Sequence, residues 1–331
     1  MALADLSVLS PRELRGMLRR IGRTPMVTVR VDGRPVALKL ESRNPGGSMK
    51  DRTARFMIRR LLASGRVRPG GVIVDSTSGN HGVSMAWVCK ALGLRFIAVS
   101  DPRATRENVA RMRALGAEIM IVTEEDGAGG YILTRMICAR QISEQRGAAW
   151  LNQYGNRDNP LAHRYSTGPE LLRQSAGRRL DAIFVPASTG GTLAGVGAYF
   201  RRASPGTRVV AVDQVGSALL GGATGRRVVN GLGSSRPSEF LDPGLFDEVA
   251  VMGGAEAFAT CRALLAGTGL ELGGSSGAAV AAAARWLDRH PDAQVAVICP
   301  DHGANYRTTI FDDAWLEAGG HAGGWAPELS C

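Results

Sequence analysis

One lysine of the chain sits in a setting suited to covalent chemistry. The stretch from Asn44 to Asp51 reads NPGGSMKD. Lys50 follows a Pro-Gly-Gly turn and a serine, where a helix is expected to open. Pro45 breaks the preceding strand, and Gly46 and Gly47 can take backbone angles that side-chain-bearing residues resist. Ser48 is expected to cap the helix. Asp51, in the first turn, meets the positive helix end. The helix should run through Thr53, Phe56, Met57 and Leu61 to Gly65. An amine fixed near a helix N-terminus can be kept partly neutral, so it can form a Schiff base with a carbonyl. A lone lysine after a turn is more often a surface residue, and four further stretches decide against that reading.

The first is STSGNHG, Ser76 to Gly82, between an apolar strand and a helix. The backbone N–H groups around Gly79 and the hydroxyls of Thr77 and Ser78 make a receptor for a carboxylate. Asn80 can donate to a neighbouring oxygen such as a pyridinol O3′. The second is PASTGGT, Pro186 to Thr192, after the apolar run Ile183 to Val185. Ser188, Thr189, Gly190, Gly191 and Thr192 offer successive N–H groups and three hydroxyls at a helix start, a composition that suits a phosphate monoester. No GxxxxGK[ST] and no GxGxxG is present, which weakens nucleotide readings. The third is GGSSG, Gly273 to Gly277, where a serine can face a pyridine nitrogen. The fourth is NQYGN, with Gln153 able to donate to a carboxylate and Tyr154 beside it. Alone, the STSGN turn reads equally well as a capping turn, GGSSG reads better as one, and any one stretch is a weak signal. Together they describe a site for pyridoxal phosphate.

Composition narrows the alternatives. The chain has 331 residues, 44% of them hydrophobic, enough for two domains or one large α/β unit. No apolar run of about 18 residues is present, so no membrane span is expected. The N-terminal stretch MALADLSVLSPRELR does not read as a secretory signal. Cys89, Cys138, Cys261, Cys299 and Cys331 are scattered, odd in number and without CxxC spacing. That pattern argues against disulfides or a metal site and for a reducing cytoplasm. The net charge is +10, from 40 Lys and Arg against 30 Asp and Glu. The arginines are spread along the chain and aromatics are few. A solvated basic surface, with some arginines meeting anionic substrates, is therefore expected rather than nucleic-acid binding.

These residues need elements to position them. A polar helix is expected from Pro11 to Arg20. MVTVRV and PVALKLE alternate as strands across a DGRP turn. After the Lys50 helix come a strand at Val72 to Val74, a helix from Val83 to Leu92, the strand LRFIAVS, a helix from Thr105 to Leu115 and the strand EIMIV. This β-α-β-α-β order predicts a parallel sheet covered by helices. GAGGYILTRMICARQISEQRG reads as a helix, and AAWLNQYGN as a strand and turn. A second α/β region begins at NPLAHRYSTGPELLRQ. In it, DAIFVPASTGGT and RVVAVDQVGS carry strands, EAFATCRALLAGTGL and GGSSGAAVAAAARWLDRH helices, and QVAVICPDHG the last core strand. GGATGRRVVNGLGSSRPSEFLD has no period and reads as a long functional loop. The tail past Leu316 is expected to be loosely held.

In chain order, the lysine loop, the STSGN turn, Gln153, the STGGT turn and the GGSSG turn each follow the carboxyl end of a strand, where open α/β sheets bind ligands. From Gly22 to Leu316 this set resembles the fold-type II pyridoxal phosphate enzymes of the cysteine synthase/cystathionine β-synthase family. The resemblance implies an α/β fold like that of the tryptophan synthase β chain: two open twisted sheets with the cofactor in the cleft between domains. It implies a large cofactor-binding domain of residues 1–41 and 156–318, a smaller mobile substrate domain of 42–155, and a flexible tail, 319–331. It also implies a homodimer. By the same resemblance Lys50 carries the cofactor as a Schiff base, Asn80 contacts O3′, and Ser188 through Thr192 hold the phosphate. Ser275 faces the pyridine nitrogen. Thr77, Ser78, Gly79 and Gln153 take the substrate carboxylate.

A neutral serine at the ring nitrogen holds a proton less firmly than an aspartate would, which favours expulsion of a β leaving group. The expected reaction is β-replacement by a transferase, with Lys50 as general base. Arg236 lies in GLGSSRPSEFLD, a loop that the family aims at its active site. A guanidinium there can fork onto phosphate or carboxylate, where acetylserine sulfhydrylases have apolar residues. Arg236, DGAGGYILTR (Asp126 to Arg135), Tyr154 in WLNQY, VDQVGS, and PDHGANY followed by DDAWLE go beyond the generic pattern. They resemble the siderophore- and antibiotic-pathway enzymes that join O-phospho-L-serine to L-glutamate. The product there is N-(2-amino-2-carboxyethyl)-L-glutamate, a precursor of L-2,3-diaminopropionate. Arg135, Arg236, Tyr154 and Ser188 are the expected substrate contacts. A cysteine synthase using O-acetylserine or O-phosphoserine with sulfide is the alternative. A catalytically idle relative is a third reading, opposed by the intact Lys50, Asn80 and Ser275. His81 follows Asn80 where sulfhydrylases often have threonine, and a structural role is expected for it.

Overall fold

The structure, a computed structural model, describes residues 5–127, 130–175, 177 and 179–331. Ala128 and Gly129, inside the DGAGGYILTR stretch, and the first four residues of the chain lie outside it. In chain order the elements begin with α1 (Pro11–Leu18), β1 (Met26–Val31), β2 (Arg34–Leu40) and α2 (Lys50–Ala63). Next come β3 (Val72–Ser76), α3 (Asn80–Leu92), β4 (Arg95–Ser100), α4 (Arg106–Ala114), β5 (Glu118–Ile121), α5 (Ile132–Arg146) and β6 (Ala149–Trp150). These are followed by α6 (Asp158–Arg164), α7 (Thr167–Gln174), β7 (Ala182–Pro186), α8 (Gly191–Ala203), β8 (Arg208–Gln214) and β9 (Glu248–Met252). The chain ends with α9 (Gly254–Thr268), α10 (Gly274–Arg289), β10 (Val295–Cys299), α11 (Asp313–Ala318) and β11 (Leu329–Ser330).

Two compact units emerge. The first holds Met1–Gly22 and Asn44–Ala162, and the second Arg23–Arg43 and His163–Cys331. This differs from the expected division, which put residues 1–41 with the large domain and ended the small one at 155. The N-terminal segment joins the first unit because Leu6, Leu14 and Ile21 are buried in one core with Met57, Leu61, Trp87 and Phe96. Lys90 also donates to the Ser7 carbonyl at 2.8 Å.

The first unit is built on a parallel sheet of order β5-β4-β3-β6. Helices cover both faces, so β3 (VIVDS) can be apolar on both sides. One face packs on α2 and α3. The other packs on α5 through Val74, Ile97, Val99, Ala139 and Ile142. α3 is buried almost throughout and stops at Gly93, whose left-handed φ of 68° closes its C-terminus.

The second unit has seven strands in the order β11-β1-β2-β10-β7-β8-β9. The run from β2 to β9 is parallel, and β1 and β11 are antiparallel additions. α10 lies buried against this sheet and α9. Its alanines permit the close approach. At Gly277 a Cβ would run into the Ala257 carbonyl.

Two further expectations are corrected here. β9 was not foreseen; it is an edge strand whose Val249 and Val251 stay exposed, so it lacks the continuous apolar run of its neighbours. The tail is not loosely held. β11 pairs with β1 through Val31↔Leu329, and the Glu328 N–H donates to Asp32 at 2.7 Å. Among the described residues no helix is long and apolar enough to cross a membrane. No group of three or more His, Cys, Asp or Glu side chains there could hold a metal ion.

Candidate active site

Lys50 is the first residue of α2 and half-buried. Burial lowers its amine from the ordinary value near 10.5 to about 8, against the pull of Asp75, which raises it. Such an amine keeps a neutral fraction of about one-tenth at pH 7, far above that of an ordinary lysine, which a Schiff-base lysine can use. The loop before it is clamped from behind. The fully buried Asp51 carboxylate accepts from the Gly46 N–H at 2.5 Å, the Ser84 hydroxyl at 2.6 Å and the Trp87 indole at 2.8 Å. Arg111 donates to the Gly46 carbonyl at 3.0 Å. A Cβ on Gly46 would collide with Asp51 and Trp87, and Gly47 takes a φ of 85°. Both glycines are therefore required by the backbone path. Ser48 does not cap α2. Met49 holds that position with helical angles (φ −59°, ψ −20°), whereas a side-chain cap needs an extended backbone, and Ser48 Oγ is buried with no hydrogen bond among the described residues.

The STSGN turn joins β3 to α3, and no side chain caps α3. The Gly82 N–H turns back onto the Gly79 carbonyl at 2.9 Å, and a helix start without a side-chain cap suits an anionic ligand. Thr77 is buried, and Ser78, Gly79 and Asn80 are partly exposed. A Cβ at Gly79 would meet nothing within 4 Å, so the space above the turn is open. Gln153 follows β6, and its amide donates to the Ser76 carbonyl at 2.7 Å, tying the NQY turn to the STSGN turn. Behind both turns lies Asp75, which no motif of the sequence marks. It is fully buried. Its Oδ1 accepts from the N–H of Ser76 at 2.9 Å and of Asn152 at 3.1 Å. Its Oδ2 lies 2.9 Å from His81 Nε2 and accepts from the Gln153 N–H at 3.3 Å. Burial holds the His81 imidazole below its ordinary pKa.

Arg135 is buried on α5. One of its nitrogens lies 3.1 Å from Asp101 Oδ2, and another donates to the Tyr154 hydroxyl at 3.4 Å. The Asp101 contact is Coulombic rather than an aligned hydrogen bond. Burial pushes the Tyr154 phenol up, with Arg135 opposing. Lys50, Thr77, Ser78, Gly79, Asn80, Arg135, Gln153 and Tyr154 all belong to the first unit.

The second unit supplies the remaining expected residues. Ser188 to Thr192 join β7 to α8; the N-cap, Gly190, offers no side chain, and the Gly191 N–H donates to Thr189 Oγ1 at 3.4 Å. Gly190 has a φ of 87°, and a Cβ there would run into Ser238. The Ser238 hydroxyl donates to the Thr189 carbonyl at 2.6 Å, so the 215–242 loop shapes the turn. Ser188 Oγ donates to the Gly233 carbonyl at 3.2 Å. Thr192 Oγ1 lies 3.2 Å from Nε2 of buried His163, whose Nδ1 lies 2.9 Å from Thr167 Oγ1. Ser275 is buried in the first turn of α10. Beneath that turn, the Tyr306 hydroxyl donates to Asp301 at 2.6 Å, and Gly273 has no room for a Cβ beside Asp301. Arg236 is part-exposed and reaches Glu239 at 3.4 Å. Ser238, His163 and Asp301 were not singled out from the sequence. Ser238 lies two residues from Arg236 in the loop read as functional, which was the only signal for it.

The donor set fits pyridoxal phosphate. An amine held near neutrality is available for its aldehyde. A glycine-shaped helix start flanked by hydroxyls is available for its phosphate. A buried hydroxyl is available at a helix start for its ring nitrogen. The description "Pyridoxal-phosphate dependent enzyme" matches residues 17–301 as a family. Two relatives are named N-(2-amino-2-carboxyethyl)-L-glutamate synthase. That from Ralstonia nicotianae is 43% identical over 93% of this chain and 95% of its own. That from Cupriavidus metallidurans is 41% identical over 91% and 90%. Among solved structures, an O-ureido-L-serine synthase superposes with a TM-score of 0.84 at 35% identity, covering 91% of this chain and 98% of its own. An O-acetylserine dependent cystathionine β-synthase from Helicobacter pylori gives 0.81 at 30% identity, covering 88% and 97%. This chain belongs to the pyridoxal-phosphate dependent enzyme family, in its fold-type II branch, and pyridoxal phosphate is its cofactor.

Proposed function

We propose that the protein joins O-phospho-L-serine to L-glutamate by β-replacement, releasing phosphate and forming N-(2-amino-2-carboxyethyl)-L-glutamate. The observation that carries this reading is the 43% and 41% identity, over nine-tenths of the chain, to two synthases named for that product. The cationic and phenolic groups of Arg135 and Tyr154 support it, since both substrates are anionic.

Pyridoxal phosphate, when bound, withdraws electrons from the amino acid's α-carbon. Lys50 would hold its aldehyde, Asn80 its O3′, Ser188 through Thr192 its phosphate, and Ser275 its ring nitrogen. Thr77, Ser78, Gly79 and Gln153 would receive the carboxylate of O-phospho-L-serine. Lys50 Nζ, freed when the amino acid binds, would take the proton from Cα. The Cβ–O bond breaks, and phosphate leaves. The amine of L-glutamate, having given up a proton, forms the new bond to Cβ, and Lys50 returns a proton to Cα. Arg135, Tyr154 and Arg236 would hold the anionic ends of the substrates. The half-neutral amine of Lys50 suits this exchange, because it can both accept and give a proton near pH 8.

The same reading includes a homodimer in the cytoplasm, supported by the family resemblance and by the scattered free cysteines. Light scattering in solution tests the dimer. The reaction is tested by incubating the loaded enzyme with both amino acids, following phosphate release and product mass. Release that depends on L-glutamate is expected. Turnover with sulfide but none with L-glutamate would instead make it a cysteine synthase.

A further inference from the structure

Asp75 collects more of the site than any group singled out from the sequence. It is the penultimate residue of β3, at the back of the STSGN turn, and no part of it reaches solvent. Three backbone N–H groups converge on it, one from Ser76 and two from the turn after β6, at Asn152 and Gln153. His81 Nε2, from the first turn of α3, is the fourth partner at 2.9 Å. Asn152 takes a left-handed φ of 54°, unusual for a side-chain-bearing residue, and its N–H is one that Asp75 accepts. Strand β3, the α3 start and the β6 turn therefore meet on one carboxylate. The two turns it joins are those that carry Thr77, Ser78, Gly79 and Gln153.

The charges around this point are few. Asp75 acts on Lys50, raising its basicity against burial. Lys50 in turn acts on His81, and Asp75 also acts on Tyr154, whose other charged neighbours are Arg135 and Asp101. With a carboxylate at Nε2, the neutral imidazole carries its proton there. Nδ1 is then a buried lone pair that no described protein group hydrogen-bonds. His81 thus supports the carboxylate without adding a charge of its own.

We infer that Asp75 is a positioning residue of the reaction: its carboxylate keeps the two turns that receive the donor amino acid in register. The inference rests on the reaction proposed above. Asp75 touches neither substrate nor reacting atoms in this role. It acts through the backbone of Ser76, Asn152 and Gln153.

The test uses Asp75→Asn, which keeps the shape and removes the charge, and His81→Asn, which leaves the carboxylate. In the loaded enzyme, Asp75→Asn should raise KM for O-phospho-L-serine at least tenfold, with KM for L-glutamate and cofactor affinity within twofold. Loss of all three together marks a fold effect and overturns the positioning role, as does no change. If Asp75→Asn does not fold, His81→Asn still tests the register: a two- to fivefold rise in the same KM alone supports it, and no rise overturns it. Should the proposed reaction itself be wrong, the wild type will not turn over this substrate pair, whereas failure of the positioning role leaves wild-type turnover intact.

Discussion

The Asp51 carboxylate accepts the Trp87 indole N–H at 2.8 Å, and through that bond α3 grips the loop that presents Lys50. The two residues lie on different helices. Asp51 follows Lys50 in α2, and Trp87 sits in the middle of α3, with no exposed surface on either. Burial raises the Asp51 carboxyl's pKa, and its hydrogen bonds from Ser84, Trp87 and Gly46 oppose the rise. Replacing Trp87 with Phe keeps most of the ring and removes one donor from a buried acceptor. The expected loss is about 1–3 kcal/mol of stability. Denaturant unfolding of the cofactor-free protein measures it, and a loss below about 0.5 kcal/mol would show that Ser84 and Gly46 suffice.

Lys50 gives a pH prediction whose sign follows from its lowered pKa. Only the neutral amine attacks an aldehyde. With a midpoint at about 8, the reactive fraction is about one-hundredth at pH 6, about one-tenth at pH 7 and half at pH 8. The rate at which cofactor-free protein takes up pyridoxal phosphate should therefore rise about tenfold from pH 6 to 7 and flatten above pH 9. A rate still climbing tenfold per pH unit above 9 would mean an ordinary lysine. Borohydride reduction of the loaded enzyme should fix the label on the Lys50 peptide, and Lys50→Ala should abolish it.

The chemistry-bearing turns could be read from the chain because their logic is local. Pro45, Gly46 and Gly47 before Lys50, and Ser188 to Thr192 after an apolar strand, announce backbone geometry through residue type alone. The parallel sheet of the first unit follows for a similar reason, since strands buried on both faces are short apolar runs between glycine-rich turns. What supports the turns is not local. Asp51 meets Trp87 36 positions away, and Asp75 meets Gln153 78 positions away. Nothing about a single aspartate marks it as the meeting point of four donors. Ser48 shows the opposite error. Its type suits a cap, but the chain enters α2 through helical angles at Met49, which only the packing of the Pro-Gly-Gly loop decides.

Gly190 carries the shape of the turn read as the phosphate receptor. Its φ of 87° costs a side-chain-bearing residue about 1–2 kcal/mol, and a Cβ there would also displace Ser238. Ser238 holds the Thr189 carbonyl and accepts the Phe240 N–H at 3.2 Å, so the displacement would spread to the loop beyond. Gly190→Ala should weaken pyridoxal phosphate binding at least tenfold in an absorbance titration. The pH midpoint for acylation of Lys50 in the cofactor-free protein, a residue of the other unit, should not move. Wild-type affinity in the variant would remove this turn from the phosphate site.

Arg135 raises the question of whether a buried cation serves the substrate or the fold. Both it and Asp101 have about 5% of their side chains exposed. Removing Arg135 alone leaves Asp101 as a buried charge without its partner, and losses of about 3–5 kcal/mol are expected for such a step. Arg135→Gln should therefore be strongly destabilised, and low activity in that variant would say nothing about substrate. The double variant Arg135→Gln with Asp101→Asn separates the two effects. With both charges gone the desolvation cost disappears, and most of the stability should return. If Arg135 holds a substrate anion, as proposed, the double variant should be stable yet still show a KM for one amino acid raised at least tenfold. Recovery of KM together with stability would assign Arg135 to the fold and leave the anion to Arg236.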